Sequence, residues 1–287
     1  MDGAISEPAY LLTHTRNCCT FVSMKLFNLA LFALITNLAS ASIVTKTVEY
    51  DHAGTKFKGF LAYDDKAASG AKQPGVLIVH EWWGLNDYTK SRAMQLAEMG
   101  YVAFAVDMFG NGENTIDAKR AAEMAGGVHG PLMAERAQAG LDQLIKTGLV
   151  DESKIAAIGF CFGGSTCQAL AFSGAPLAGI VSFHGGLIQP SPEEVKKVKA
   201  KFLMLNGAID PMVKSEDIIT FLKALDKGPV DYQFVDYSGA LHAFSNPEAT
   251  QLAQANGLSN AVGYNEKVAI RAWAQMKLFF EEIFHSK

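Results

Sequence analysis

Three residues able to do nucleophilic chemistry each sit in a loop directly after a run with strand character. Cys161 lies in Ile158-Gly159-Phe160-Cys161-Phe162-Gly163-Gly164, Asp210 in Asn206-Gly207-Ala208-Ile209-Asp210-Pro211, and His242 in Ser238-Gly239-Ala240-Leu241-His242-Ala243-Phe244. A thiol attacks carbonyl carbon well once a neighbouring base holds its proton. An imidazole serves as that base when a carboxylate orients it and stabilises its charged form. Flanking glycines allow a tight turn at the cysteine, and a helix expected from Gly163 aims its N-terminus at the sulfur. The N–H of Phe162 is then placed to donate to an oxyanion. Alone, Asp210 reads as a turn former before proline and His242 as a solvated loop residue. Together, in the order nucleophile, acid, histidine, they read as an acyl-transfer triad.

A second acidic residue belongs with them. Glu81 follows a strand end, in the loop that ordinarily supplies an oxyanion donor, so its carboxylate is expected beside Cys161. There it can share a proton with the thiol and limit oxidation of a bare thiolate. His80-Glu81 begins like a zinc-protease signature, but Gly84 stands where the second histidine is required. No metal and no cofactor is expected.

The elements that must hold these loops alternate. Ser42–Tyr50 and Lys56–Tyr63 predict a hairpin, and Gly75–His80, Tyr101–Val106, Lys154–Gly159, Leu177–Phe183, Phe202–Leu205 and Val230–Val235 predict further strands. The continuous apolar runs among them are typical of strands covered on both faces. Helices are expected over Asp87–Met99, stopped by Gly100, and over Ala118–Ala125, Pro131–Thr147, Gly163–Phe172, Ser215–Leu225 and Asn265–Phe284. Such alternation predicts an α/β fold with a mostly parallel central sheet and helices on both faces. Reactive groups of such sheets collect at the strands' carboxyl ends.

Residues 24–41 read as a secretory signal peptide: Lys25, an apolar run from Leu26 to Ile35, then Ala39-Ser40-Ala41. The run is too short and interrupted for a stable membrane anchor. Residues 1–23 read as an upstream extension that is not native to the protein, and 42–287 as a single domain, periplasmic or secreted. Removal of the leader discards Cys18 and Cys19 and leaves Cys161 and Cys167, too close along one turn and helix to bridge. A free thiol outside the cytoplasm implies a functional reason for keeping it. The chain has 287 residues, is 49% hydrophobic and 19% charged, and carries a net charge of −4. It has material for a large core and no basic excess for nucleic acid. Nothing in the sequence addresses oligomeric state.

Across nearly all of 42–287 the sequence resembles the dienelactone hydrolase family of α/β-hydrolases. The resemblance is carried by His80-Glu81-Trp82-Trp83-Gly84, Gly100-Tyr101-Val102-Ala103, Asp107-Met108-Phe109, Gly159-Phe160-Cys161-Phe162-Gly163-Gly164, Asp210 and Gly239-Ala240-Leu241-His242-Ala243-Phe244. It implies the α/β-hydrolase fold and a Cys161-Asp210-His242 triad. It implies a Glu81 that pairs with the resting cysteine and moves aside for substrate, and the N–H of Trp82 as second oxyanion donor. Two arginines that hold the substrate carboxylate in this family have no counterpart, since the corresponding neighbourhoods read Gly110-Asn111-Gly112 and Ser245-Asn246-Pro247. Asparagine does not replace a bidentate guanidinium. The expected substrate is therefore a small neutral or weakly polar ester, thioester or lactone in a lining of Trp82, Trp83, Phe109, Phe162 and Phe244. His184, ending another strand, is expected to support the site, and Gly257–Gly263 is a candidate lid segment. A catalytically silent ligand-binding protein, which would need no Asp210–His242 pair, and a thiol redox sensor, which would show low activity on esters and ready oxidation of Cys161, are the alternatives.

Overall fold

The computed structural model describes residues 42–68 and 70–285, which lie in one compact unit. The leader and upstream extension read from residues 1–41 therefore lie outside the described residues. The chain opens with a hairpin of β1 (Ile43–His52) and β2 (Thr55–Asp64). Its two-residue turn is Ala53-Gly54, both at positive φ (47° and 77°), as a turn matching strand twist requires. A short 3-10 turn (Asp65–Ala68) leads into the alternating part: β3 (Gln73–Val79), α1 (Asp87–Glu98), β4 (Val102–Val106), α2 (Ala118–Gly126), α3 (Pro131–Lys146), β5 (Val150–Phe160) and α4 (Phe162–Phe172). It continues through β6 (Gly179–Phe183), α5 (Pro192–Lys197), β7 (Lys201–Gly207), α6 (Ser215–Leu225), β8 (Tyr232–Tyr237), α7 (Ala249–Ala255) and α8 (Glu266–His285).

The strands form one sheet in the order β1-β2-β4-β3-β5-β6-β7-β8. β1 and β2 run antiparallel to their neighbours, and β3 to β8 are mutually parallel. The apolar runs of β3 and β4 follow from this. Leu77, Val79 and Phe104 point to one face, packing with Leu141 and Leu144 of α3 and Leu170 of α4. Val76, Ile78 and Ala103 point to the other, against Leu96 of α1 and Met276 and Phe280 of α8. Period-2 side chains with both faces covered leave no position for a polar residue.

Local signals account for the helix ends. Asn86 caps α1 by accepting from the Thr89 N–H, and Gly100 follows at φ 91°, where a side chain would be strained. Two helices were not expected. α5 starts from a full capping box between Ser191 and Glu194, and α7 follows Pro247-Glu248. β5 begins at Val150, before the expected Lys154, because its first residues pair with Gln73 and Pro74 before the register shifts. Among the described residues no helix is long and apolar enough to cross a membrane.

Candidate active site

Because β3 to β8 are parallel, the segments after β3, β5, β6, β7 and β8 emerge on one edge, bringing Glu81, Cys161, His184, Asp210 and His242 together. Cys161 is the residue between β5 and α4, at φ 54° and ψ −117°. That conformation is costly for a residue with a Cβ, on the order of 1–3 kcal/mol, so it persists only where its surroundings enforce it. Here they do. A Cβ at Gly159 would collide with the backbone of Gly163, and one at Gly163 with the carbonyls of Val79 and His80. The Cys161 N–H is shared between Phe183 O at 3.0 Å and Nδ1 of His184 at 3.1 Å, and its carbonyl accepts from Gly164 N–H at 2.9 Å. The thiol is half-buried, and the first N–H groups of α4, that of Phe162 included, have no partner within the helix. Cys167 lies in the core, where burial pushes its thiol far up and makes it inert.

His242 and Asp210 form a buried pair, Nδ1 to Oδ2 at 2.7 Å. The other Asp210 oxygen accepts from Met212 N–H at 2.8 Å, which fixes the carboxylate. With Nδ1 committed to Asp210, Nε2 is the free ring nitrogen. Burial is the strongest single influence on the His242 ring and lowers its pKa. The influence of neighbouring Cys161 and the Asp210 hydrogen bond outweigh it, pushing the value up to about 10. Nε2 is buried on the side of the ring that faces Cys161. The His242 backbone is held on both sides by the segment suspected as a lid: its N–H donates to Ala261 O and its carbonyl accepts from Gly263 N–H, each at 3.0 Å. That segment is a wall built onto the histidine loop.

Glu81 is buried, with Oε2 accepting from Nδ2 of Asn246 at 2.6 Å and Oε1 unpartnered. Burial raises its carboxyl to about 7, against the opposing influence of Asn246 and His242. The preceding His80 is fully buried and neutral, burial bringing it down to about 4. Its Nδ1–H donates to Glu81 O at 2.5 Å and Nε2 accepts from Met108 N–H at 3.1 Å. This ties the Glu81-Trp82 backbone to the loop after β4. That loop is itself gathered around Asp107, whose carboxylate accepts from the N–H groups of Lys58, Phe109, Gly110 and Gly112.

A pocket of about 470 Å³ opens over these groups. Glu81, Cys161, His242 and Asn246 supply its polar side chains. Trp82, Trp83, Met212, Leu252, Leu258 and Val262 supply most of its apolar wall, and among the described residues no lysine or arginine lines it. The expected aromatic lining is corrected at three positions. Phe244 is fully buried, edge-on to His184 and Tyr237, because it faces the core side of its loop. Phe109 and Phe162 pack on each other and on His80, and their rings are not in the pocket wall. The residues that the sequence did not single out are Met212, Leu252 and Asn246. Only Asn246 left a signal, as the uncharged residue where a cation was missing.

The sequence profile of the dienelactone hydrolase family matches residues 57–284. The solved structure titled "m3DLH" is 36% identical with a TM-score of 0.78, covering 84% of this chain and 98% of its own. The dienelactone hydrolase-like promiscuous phosphotriesterase P91 from metagenomic libraries is 35% identical, with the same TM-score and coverage. A Saccharolobus solfataricus protein named "Putative carboxymethylenebutenolidase" is 27% identical over 273 residues, 83% of this chain and 98% of that one.

Proposed function

Given that the chain belongs to the dienelactone hydrolase family and is a hydrolase, we propose that it cleaves uncharged esters or lactones through an acyl-cysteine intermediate. The observation that carries this reading is the enforced turn at Cys161 beside the buried His242–Asp210 pair. Sγ of Cys161 attacks the carbonyl carbon while His242 holds the thiol proton, and the N–H groups of Phe162 and Trp82 receive the oxyanion. Collapse expels the alkoxide, which takes the proton from Nε2. Water then gives its proton to His242 and attacks the thioester, and the acid departs as Cys161 is restored. Before substrate arrives, Glu81 shares a proton with Cys161, which spares the thiol from oxidation.

Two features favour a neutral substrate. The lining contains no lysine or arginine to balance a carboxylate, and Asn246 is committed to Glu81. P91 carries the name of a phosphotriesterase, and a phosphotriester is likewise uncharged. Export by cleavage after residue 41 belongs to the same proposal, and N-terminal sequencing of the exported protein tests it by finding Ser42 first. The hydrolytic reading is tested by turnover of neutral p-nitrophenyl esters. Cys161→Ala is expected to abolish it, and alkylation of Cys161 by iodoacetamide to abolish it in parallel with labelling. Activity that survives complete alkylation would refute the assignment.

A further inference from the structure

Glu81 has two buried carboxyl oxygens and, among the described residues, a single hydrogen-bond donor between them. Nδ2 of Asn246 donates to Oε2 at 2.6 Å, and Oε1 has no partner. The donor cannot drift. Oδ1 of Asn246 accepts from Glu248 N–H at 2.9 Å, its N–H donates to Ala243 O at 3.1 Å, and its carbonyl accepts from Ala249 N–H at 3.0 Å. An ionised carboxylate in this position would carry a buried, bare oxygen, which is costly. A neutral carboxyl needs one donor for its carbonyl oxygen and one acceptor for its O–H. The first requirement is met by Asn246, and the pocket that Glu81 lines holds the place of the second.

The surrounding charges pull in both directions. Arg92 on α1 and His242 after β8 favour ionised Glu81, Glu248 before α7 opposes it, and Tyr88 of α1 is also within electrostatic reach. Burial outweighs them and leaves the carboxyl neutral below about pH 7.

Resting on the ester-cleavage reading, we propose that Asn246 positions Glu81 as a neutral carboxyl whose Oε1–H donates to an acceptor oxygen of the bound substrate. The pair is thus a specificity determinant for uncharged, oxygen-rich esters and lactones. Asn246 is a positioning residue in this arrangement.

The test is kcat/KM against pH from 5.5 to 8.5 on p-nitrophenyl acetate, for the wild type and three variants. Wild-type kcat/KM is expected to fall above about pH 7 as Glu81 ionises and the donor is lost. In Glu81→Gln the amide oxygen still accepts from Asn246 and the amide N–H₂ faces the pocket at every pH. That variant is expected to be several-fold slower and to lose the fall above neutrality. Glu81→Leu, with no donor, is expected to be roughly tenfold below Glu81→Gln. Asn246→Asp keeps the acceptor for Glu248 N–H but draws the Glu81 proton to its own carboxylate. It is expected to raise KM roughly tenfold with a smaller change in kcat. Glu81→Gln as inactive as Glu81→Leu, with wild-type kcat/KM rising through pH 7, would overturn the proposal. So would an Asn246→Asp variant with unchanged KM and pH profile. Mass analysis of Cys161 separates the two levels: either of these results with normal acylation of Cys161 sinks this inference alone. A wild type that turns over ester without acylating Cys161 sinks the ester-cleavage reading itself.

Discussion

Nδ1 of His184 accepts the backbone N–H of Cys161 at 3.1 Å, so the residue that ends β6 holds the turn that carries the sulfur. The same ring bonds through Nε2 to Oγ of Ser245 at 2.8 Å and sits edge-on to His242, with centroids 5.3 Å apart. Since Nδ1 accepts, Nε2 carries the proton and donates to Ser245. Ser245 in turn meets the Tyr88 hydroxyl at 2.9 Å, and its carbonyl accepts from Arg92 at 2.9 Å. One buried imidazole thereby ties the cysteine turn, the histidine loop and α1 together. Burial, followed by repulsion from His242, holds it well below the usual histidine range and keeps it neutral.

Replacing His184 with leucine removes one acceptor and one donor from a buried chain of hydrogen bonds. The variant is expected to lose about 1–3 kcal/mol of stability in urea unfolding. It is also expected to lose ester turnover disproportionately at kcat, because the Cys161 turn relaxes. Unchanged kcat in a destabilised protein would show that Phe183 O alone suffices to hold the turn.

The buried titrating groups set how stability depends on pH. His80, at about 4 when folded, and His184, also lowered, bind fewer protons folded than unfolded. Their contribution is complete above the ordinary histidine value of 6.5 and is lost as pH falls below it. Glu81 has the opposite sign: raised to about 7, it stabilises most below its ordinary 4.5, and this is lost as pH rises through 7. From pH 6.5 to 4.5 two histidines oppose one glutamate, so net stability is expected to fall. Glu81→Gln removes the opposing contribution and should steepen the fall by up to about 1.4 kcal/mol per pH unit. Urea midpoints measured across this range check it, and an unchanged slope would contradict the burial of an ionisable Glu81.

Much of this arrangement is legible in the sequence, and the reason is local. The strand runs ending at Val79 and Val106 are apolar without interruption from Val76 and Val102 because both sheet faces are covered, and a short buried strand favours that pattern. The cysteine turn announced itself through Gly159 and Gly163, whose missing side chains make room for backbone. The pocket wall did not. Phe244 and Leu252 are both apolar loop or helix residues, and only the path of the chain decides that one enters the core and the other the pocket. The bond between Asn246 and Glu81 joins residues 165 positions apart, a pairing that no periodicity encodes.

The apolar wall makes its own demand on substrate size. Leu252 of α7 and Leu258 of the following segment line the pocket. Leu252→Ala and Leu258→Ala are each expected to reduce kcat/KM for butyrate or hexanoate esters by about tenfold while sparing acetates. A series of p-nitrophenyl esters of increasing chain length measures this. Equal losses on acetate and hexanoate would remove these leucines from substrate binding.

Charge selectivity can be read from matched substrates. A neutral ester is expected to be turned over at least about tenfold faster than the same ester bearing a free carboxylate, since the described residues lining the pocket include no guanidinium or ammonium group to pair with it. Paired kcat/KM values decide it, and a preference for the anionic member would contradict the reading of the lining.

Whether Cys161 carries the acyl group is read from the mass of the peptide containing it after rapid acid quench. During turnover of a slow neutral ester, the wild-type peptide is expected to gain the mass of the acyl group, and the gain should be absent in Cys161→Ala together with all turnover. Steady turnover with no acyl mass on Cys161, and with activity retained in Cys161→Ala, would contradict the account.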